Sequence, residues 1–137
     1  MILQTRQQAV DLLRNTKRIA VLGIKLTAGQ PAYDVPALMQ QHGYSIVPVP
    51  VYFPEATEIL GEKVYRKLVD IPGELDMVNV FRRPQDIDQH VDDIIAKKPK
   101  SVWFQLGIRN DAAAQRLSDA GITVVQDRCL KIEQQFV

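Results

Sequence analysis

Two consecutive arginines follow the third of five apolar runs in the sequence, and a lysine follows the first. Arg82 and Arg83 come directly after the run Leu75 to Phe81, and Lys25 directly after Ile19 to Ile24. Arginine forms paired hydrogen bonds with phosphate or carboxylate groups, and lysine adds a compact positive charge. The three cations therefore predict a site for an anionic ligand. The alternative is that either arginine pairs with a nearby carboxylate: Asp86, Asp88 or one on a neighbouring loop.

The loop after the first run lacks the usual fingerprint of dinucleotide-binding proteins. That fingerprint is Gly-x-Gly-x-x-Gly, whose glycines let the backbone approach a pyrophosphate, and only Gly23 fits its opening position. An acidic residue that could hold a ribose hydroxyl is also missing after the second run, where Pro48, Val49 and Pro50 stand. Backbone N–H groups and a helix start in the first loop could still bind a phosphate. A merely polar connection is the alternative.

The end of the fourth run offers a second place for a ligand. Gln105, Leu106 and Gly107 close this run, and Gly107 would allow a ligand or another backbone to come close. Asn110 follows three residues later and is typical of a residue that caps a helix with its side-chain oxygen. We expect Asn110 to cap a helix rather than to take part in catalysis.

The single cysteine, Cys129, admits two interpretations. Arg128 and Lys131 beside it could favour a reactive thiolate, or its side chain could be a small buried apolar group. His42 and His90 lie on separate predicted helices and form no metal-binding motif with Cys129. No nucleophile accompanies a base and a group that orients it. The sequence therefore predicts a binding protein without catalytic equipment.

Five short apolar runs must position these residues, and segments with helical periodicity separate most of them. Continuous apolar runs are typical of parallel strands that are covered on both faces, and the intervening helices are typical of crossover connections. The carboxyl ends of such strands share one edge of the sheet, where proteins of this architecture bind ligands. The runs are Ile19 to Ile24, Ile46 to Val51, Leu75 to Phe81, Val102 to Ile108 and Ile122 to Val125.

Prolines and glycines predict where several elements begin and end. Because Pro48 cannot donate a hydrogen bond to a neighbouring strand, the second strand is expected to end near Val47. Pro84 is expected to open a helix, and Pro36 to delay or distort the first turn of an earlier one. The segment Gly61 to Tyr65 predicts a small extra strand.

The composition limits the class of protein. The chain has 137 residues, of which 46% are hydrophobic and 24% charged, as expected for a single globular domain. Its net charge of +1 and scattered cations argue against nucleic acid as the main partner. No apolar stretch is long enough to span a membrane, and the acidic residue in the amphipathic start of the chain argues against a signal peptide. One cysteine fits a reducing cytoplasm.

Five segments of the chain, taken in order, resemble the small stand-alone CoA-binding proteins. The domain of those proteins is similar to the amino-terminal domain of the succinyl-CoA synthetase alpha subunit, and the resemblance extends from about Thr5 to Glu133. It implies an α/β fold: one CoA-binding domain over residues 1–137, Rossmann-like, with three α/β/α layers and a mostly parallel sheet of five or six strands. The segments are Tyr44 to Val49, Glu58 to Tyr65, Val78 to Pro84, Val102 to Ile108 and Asp127 to Glu133.

The same resemblance implies that coenzyme A or an acyl-CoA lies across the ends of the strands. In two loops the sequence departs from the family pattern: Lys25 stands in place of a serine, and Pro50 in place of an asparagine. The residues that the resemblance assigns to the ligand are Pro48 and Val49 on the adenine side; Gly23, Ile24 and Lys25 at the phosphates; Phe81, Arg82 and Arg83 at the middle; and Gln105, Leu106, Gly107 and Asn110 nearer the pantetheine.

These observations predict a non-catalytic CoA- or acyl-CoA-binding protein that acts as a carrier, a sensor or a partner-dependent regulator. Succinyl-CoA synthetase uses a phosphohistidine from a second domain, so the resemblance implies no ligase activity for this chain alone. A homo-oligomer and a partner enzyme both remain open. The alternatives are a regulatory domain for another nucleotide such as NAD or ADP, a thiol-exchange enzyme that uses Cys129, and a purely structural interaction protein.

Overall fold

The sheet at the centre of the molecule has five strands, all parallel. The structure is a computed structural model that describes all residues, Met1–Val137. The strands are β1 (Arg18–Leu22), β2 (Ser45–Val49), β3 (Glu58–Ile59), β4 (Glu62–Lys63), β5 (Met77–Val80), β6 (Ser101–Phe104) and β7 (Thr123–Val125). The strand order in the sheet is β2-β1-β5-β6-β7, and a separate antiparallel pair, β3 and β4, lies outside this sheet.

Five α-helices cover the two faces of the sheet. The helices are α1 (Arg6–Arg14), α2 (Pro31–Gln41), α3 (Asp88–Lys97), α4 (Asp111–Asp119) and α5 (Leu130–Gln134), with 3-10 turns at Leu68–Asp70 and Pro84–Asp86. On one face, α3 and α4 contribute residues such as Val91 and Leu117 to a core with Val78 and Val102 of the sheet. On the other face, α1, α2 and α5 pack against the alternate strand residues. The predicted three-layer Rossmann-like α/β arrangement is thus confirmed, with five rather than six strands.

The second strand continues through its proline. The prediction that it ends near Val47 is wrong, because β2 is an edge strand and extends to Val49. The carbonyl of Pro48 faces outward and accepts a hydrogen bond from the N–H of Tyr65 at 3.0 Å. A proline whose missing N–H faces away from the neighbouring strand interrupts no ladder hydrogen bond. The segment around β4 therefore covers this edge.

The interior proline of α2 does not delay the helix either. The helix begins at Pro31 and includes Pro36, which is buried. Since Pro36 has no N–H, the carbonyl of Ala32 lacks its usual intrahelical donor. It accepts the N–H of Lys25 instead, at 3.2 Å. The proline thus frees a carbonyl that holds the first loop against the start of α2.

The remaining boundaries are set by local capping. Thr5 caps α1 through a reciprocal pair of hydrogen bonds with Gln8. Asn110 caps α4, as predicted, by accepting the N–H of Ala113 at 3.0 Å. Pro84 opens a 3-10 turn, and α3 begins only at Asp88, four residues later than predicted. None of the helices is both long and apolar enough to cross a membrane.

Candidate functional site

The order of the strands fixes where a ligand would lie. Sequence order reverses between β1 and β5, which are neighbours in the sheet. In open parallel sheets the chain leaves two such strands in opposite directions, and this opens a crevice beyond their carboxyl ends. The residues on its two sides are Gly23 to Lys25 after β1 and Phe81 to Arg83 after β5.

Three cavities lie side by side along this edge, and we refer to them together as the strand-tip crevice. The first, of about 170 Å³, lies beside Tyr52. The second, of about 410 Å³, is open and shares Lys25, Arg82 and Arg83 with the first. The third, of about 310 Å³, adjoins the second at Pro31 and is lined by Cys129; we call it the Cys129 cavity. The crevice therefore extends from the end of β2 to the end of β7.

A further cavity, of about 240 Å³, lies at the β7 edge and shares no lining residue with the crevice. Its two arginines are already paired with carboxylates: Arg109 with Asp111 at 3.1 Å and Arg128 with Glu133 at 3.0 Å. In the crevice, Arg83 is paired with Asp86, but Lys25 and Arg82 form no ion pair, so the crevice is the better site for an anionic ligand.

Gly23 is required by the packing of the chain itself. Its φ is +91°, and a Cβ at this position would lie 2.3 Å from the carbonyl oxygen of Phe81. Any side chain here would push the two sides of the crevice apart. Ile24, next in the sequence, has its side chain in the core, so only its backbone is near the crevice. Lys25 is half-buried, and it lines both the first and the second cavity.

Arg82 is held in place by two aromatic side chains. Its Nε donates to Nε2 of His90 at 3.2 Å, and Nη1 lies 3.5 Å from the hydroxyl of Tyr52. The guanidinium carbon is also 5.7 Å from the centre of the Tyr52 ring. Burial and then the charge of Arg82 lower the pKa of His90, which favours the neutral imidazole that can accept this hydrogen bond. The Nη2 group of Arg82 remains free to contact a ligand.

Arg83 pairs with Asp86, which the sequence left open as an alternative. Its Nε donates to Oδ2 of Asp86 at 2.7 Å. This hydrogen bond lowers the pKa of Asp86 and raises that of Arg83. The arginine side chain is still 70% exposed, and both terminal nitrogens are free of partners in the chain. Arg83 can therefore contact an anion while Asp86 fixes its direction.

The two predicted residues of the second strand lie beneath the crevice. Pro48 and Val49 are buried in β2, and the carbonyl of Val49 accepts the N–H of Gly23 at 2.9 Å. The residues of this segment that reach the crevice are Val51 and Tyr52. Tyr52 follows a strand end and is 58% exposed, so its position after an apolar run is a signal that could have placed it in the site.

The residues after β6 have divided roles. Gln105 and Leu106 line the Cys129 cavity. Gly107 follows with a φ of +83°, and no atom lies within 4 Å of the place where its Cβ would be. Asn110 does not line the crevice. Its amide donates to the carbonyl of Pro84 at 3.0 Å and to Asp88 at 3.2 Å, so it joins the β6 end to the turn before α3.

One family model and several individual proteins are similar to this chain. The family model described as CoA binding domain matches residues 17–135. The uncharacterized protein YneT of Bacillus subtilis (strain 168) is 34% identical over 128 residues, which are 93% of each chain. A solved structure from Thermus thermophilus is 35% identical with a TM-score of 0.88 and covers 97% of this chain and 98% of its own. Acetate–CoA ligase (ADP-forming) II of Archaeoglobus fulgidus is 38% identical over 61 residues, 44% of this chain and 9% of the ligase.

Proposed function

The chain belongs to the CoA binding domain family, and from this premise we propose that it binds coenzyme A or an acyl-CoA in the strand-tip crevice without catalysing a reaction on its own. The observation that carries the proposal is the placement of Lys25, Arg82 and Arg83 around one open cavity at the switch point of the sheet. We propose that residues 1–137 form a single binding domain.

The charges of the crevice suit the nucleotide half of CoA. That half carries a pyrophosphate and a 3′-phosphate, which are anionic at neutral pH. Arg83 offers two free terminal nitrogens, and Lys25 contributes an amine from the opposite side of the cavity. Hydrogen bonds between charged groups are about twice as strong as neutral ones. The three cations would therefore supply much of the affinity for the phosphates.

The shape of the crevice suits the length of CoA. The ligand would enter beside Tyr52, whose exposed ring can stack on a base, and extend past the cations toward the Cys129 cavity. The three cations line the first two cavities, and the Cys129 cavity is lined by Pro31, Val35 and Leu106 beside Asp34 and Lys131. This order of groups matches a molecule with phosphates at one end and a pantetheine thiol at the other. Pro48 and Val49 would support the adenine end from below.

A non-catalytic role is supported by what surrounds the crevice. Its only histidine contact is His90, which is occupied by Arg82 and so does not serve as a base for a nucleophile. Cys129, half-buried at the far end, has no histidine among the residues that line its cavity. The chain is similar to a short part of an acetate–CoA ligase. A separate partner enzyme, or a second copy of this chain, could therefore receive the ligand from it.

Calorimetric titration with CoA, and with NAD and ADP alongside, tests this function. We expect CoA to bind more tightly than either other nucleotide. Each of Lys25→Ala, Arg82→Ala and Arg83→Ala should weaken CoA binding about tenfold, since each loses a charge-assisted contact with phosphate. Arg116→Ala, which removes an exposed arginine paired with Asp92 far from the crevice, is the matched control and should bind normally.

Two results would contradict the proposal. Tighter binding of NAD or ADP than of CoA would favour a regulatory domain for another nucleotide. Unchanged CoA affinity in all three crevice variants would show that CoA binds elsewhere on the chain.

A further inference from the structure

The floor of the Cys129 cavity contains one buried amide. Gln105 follows β6 directly, is only 4% exposed and lines the cavity together with apolar groups of Pro31, Val35 and Leu106. A buried polar side chain in an apolar cavity is costly unless its hydrogen bonds are made. The partners of Gln105 therefore indicate what the cavity can accept.

The oxygen of this amide is fixed by its neighbours. Oε1 of Gln105 accepts from Nδ2 of Asn79 at 3.3 Å, and the backbone N–H of Leu130 points at the same oxygen from 3.5 Å. Asn79 is itself oriented, because its Nδ2 also donates to the carbonyl of Trp103 at 3.3 Å. Turning the Gln105 amide around would place its NH₂ group against two donors. These contacts, although long, agree on one orientation.

The nitrogen of the Gln105 amide is free to donate a hydrogen bond to a ligand. Nε2 of Gln105 has no hydrogen-bond partner within the chain. Asn79 Oδ1 is the sole side-chain oxygen or nitrogen sealed from solvent without a partner, so Nε2 of Gln105 keeps some accessible surface, and the cavity that Gln105 lines is the Cys129 cavity. The cavity thus presents a group that only donates. A ligand atom that satisfies it must be a hydrogen-bond acceptor.

Asn79 supports this interpretation from beneath the cavity. It is fully buried in the central strand β5, beside Val21 and Trp103, and its Oδ1 makes no hydrogen bond. An apolar residue would fit this place without that penalty. The orientation of Gln105 gives a physical reason for an asparagine here. Asn79 is therefore a positioning residue for Gln105.

We infer that the Cys129 cavity holds the carbonyl of a thioester, so that the ligand is a short acyl-CoA in preference to free CoA. This inference rests on the proposed function. A thioester oxygen can accept the free N–H of Gln105, whereas a thiol is a weak acceptor. The volume of about 310 Å³ also has to contain the end of the pantetheine, which leaves room for a short acyl group.

Titration with three matched ligands tests the inference: CoA, acetyl-CoA and S-ethyl-CoA, a thioether of similar size without the carbonyl. We expect acetyl-CoA to bind about five- to twentyfold more tightly than the other two, as one hydrogen bond in a cavity sheltered from water would give. Gln105→Met keeps the length of the side chain but removes the donor, and it should abolish this preference, so that acetyl-CoA binds no more tightly than S-ethyl-CoA to the variant.

Asn79→Leu tests the positioning role, because it preserves shape but releases Gln105. It should lose the preference for acetyl-CoA. Gln115→Leu, which removes an exposed glutamine of α4, is the control and should keep the preference. If Asn79→Leu does not fold, the affinities of the three ligands for the unmodified protein and for Gln105→Met still test the inference.

The possible failures are distinguishable. Equal affinity for all three ligands, or S-ethyl-CoA as tight as acetyl-CoA, would overturn the inference and leave the proposed function standing. Absence of binding by all three ligands would overturn both.

Discussion

At the scale of single residues, Arg82 depends on the protonation state of a neighbouring histidine. His90 accepts the N–H of Arg82 through Nε2, which is possible only while that nitrogen carries no proton. The charged groups that face the imidazole are Arg82, Asp86 and Asp93. Burial and then Arg82 lower the pKa of His90, and the two carboxylates oppose this effect without reversing it. Protonation would therefore set two cations against each other beside the crevice.

This arrangement predicts a pH-dependent stability. The unfolded chain takes up a proton at His90 near pH 6.5, whereas the folded protein does so only at lower pH. The unfolded state therefore binds more protons between these two values. The free energy of unfolding, measured with urea, should be at its full value above about pH 6.5 and fall as the pH drops toward the lowered pKa of His90.

Histidine variants separate this effect from others. His90→Gln offers an amide oxygen to Arg82 and cannot titrate, so this part of the pH dependence should disappear. His42→Gln, which removes the exposed histidine at the end of α2, should leave it unchanged. A His90→Gln protein with the same pH profile as the unmodified protein would refute the explanation.

The sequence predicted which cations lie near one another but not what holds them. Lys25, Arg82 and Arg83 follow apolar runs, and parallel strands bring such positions to one edge. His90 could not be assigned to Arg82, because their contact depends on the start of α3, which lies beyond the expected Pro84. Gly23 resembled the opening of a phosphate loop, whereas it is the nearby Phe81 carbonyl that excludes a side chain there. Contacts of this kind join distant parts of the chain and leave no local pattern.

At the scale of elements, the prolines show how the same residue has opposite consequences in different places. Pro48 lies in an edge strand, where its missing N–H has no partner to lose. Pro36 lies inside a helix and does leave a carbonyl free, which the first loop then uses. Neither consequence could be predicted from the sequence. The first depends on which strand lies at the edge of the sheet, and the second on which loop passes the helix.

Replacing the helix proline should loosen the first loop. In Pro36→Ala the new N–H would lie four residues after Ala32 and would compete with Lys25 for its carbonyl. We expect amide hydrogen exchange at Lys25 to accelerate about fivefold, as the loss of about 1 kcal/mol of local protection would produce.

Pro31→Ala provides the comparison for this experiment. Pro31 is at the first helical position, where an N–H has no intrahelical acceptor in any case. Exchange at Lys25 should therefore be unaffected in that variant. If Lys25 exchanged at its normal rate in Pro36→Ala, the Ala32 carbonyl would be shown to serve both donors.

At the scale of the whole molecule, one buried carboxylate connects three elements. Glu133 of α5 is 3% exposed and pairs with Arg6 of α1 at 2.8 Å and with Arg128 after β7 at 3.0 Å. Arg128 also donates to the carbonyl of Gln4 at 3.1 Å. These contacts fix the start of the chain and its last helix to the sheet beside Cys129.

Removing this charge should be far more costly than removing an exposed one. Glu133→Gln leaves two arginines without their anion, and we expect a loss of about 2–4 kcal/mol in the free energy of unfolding. Asp92→Asn breaks the pair with Arg116, where Asp92 is 91% exposed, and should cost less than about 1 kcal/mol. Urea unfolding of both variants gives the comparison, and equal losses would contradict it.

The position of β1 between β2 and β5 also determines the order in which the strands can pair during synthesis. Ile19 pairs with Met77, about 58 residues later in the chain, and closing a loop of that length costs about 3–4 kcal/mol of chain entropy. Before β5 leaves the ribosome, β1 has only β2 beside it, and two strands alone are marginally stable. The two sides of the crevice come from opposite ends of this loop. A nascent chain therefore lacks a complete crevice until more than half of it has been synthesised, and any ligand that binds there can stabilise only the late steps of folding.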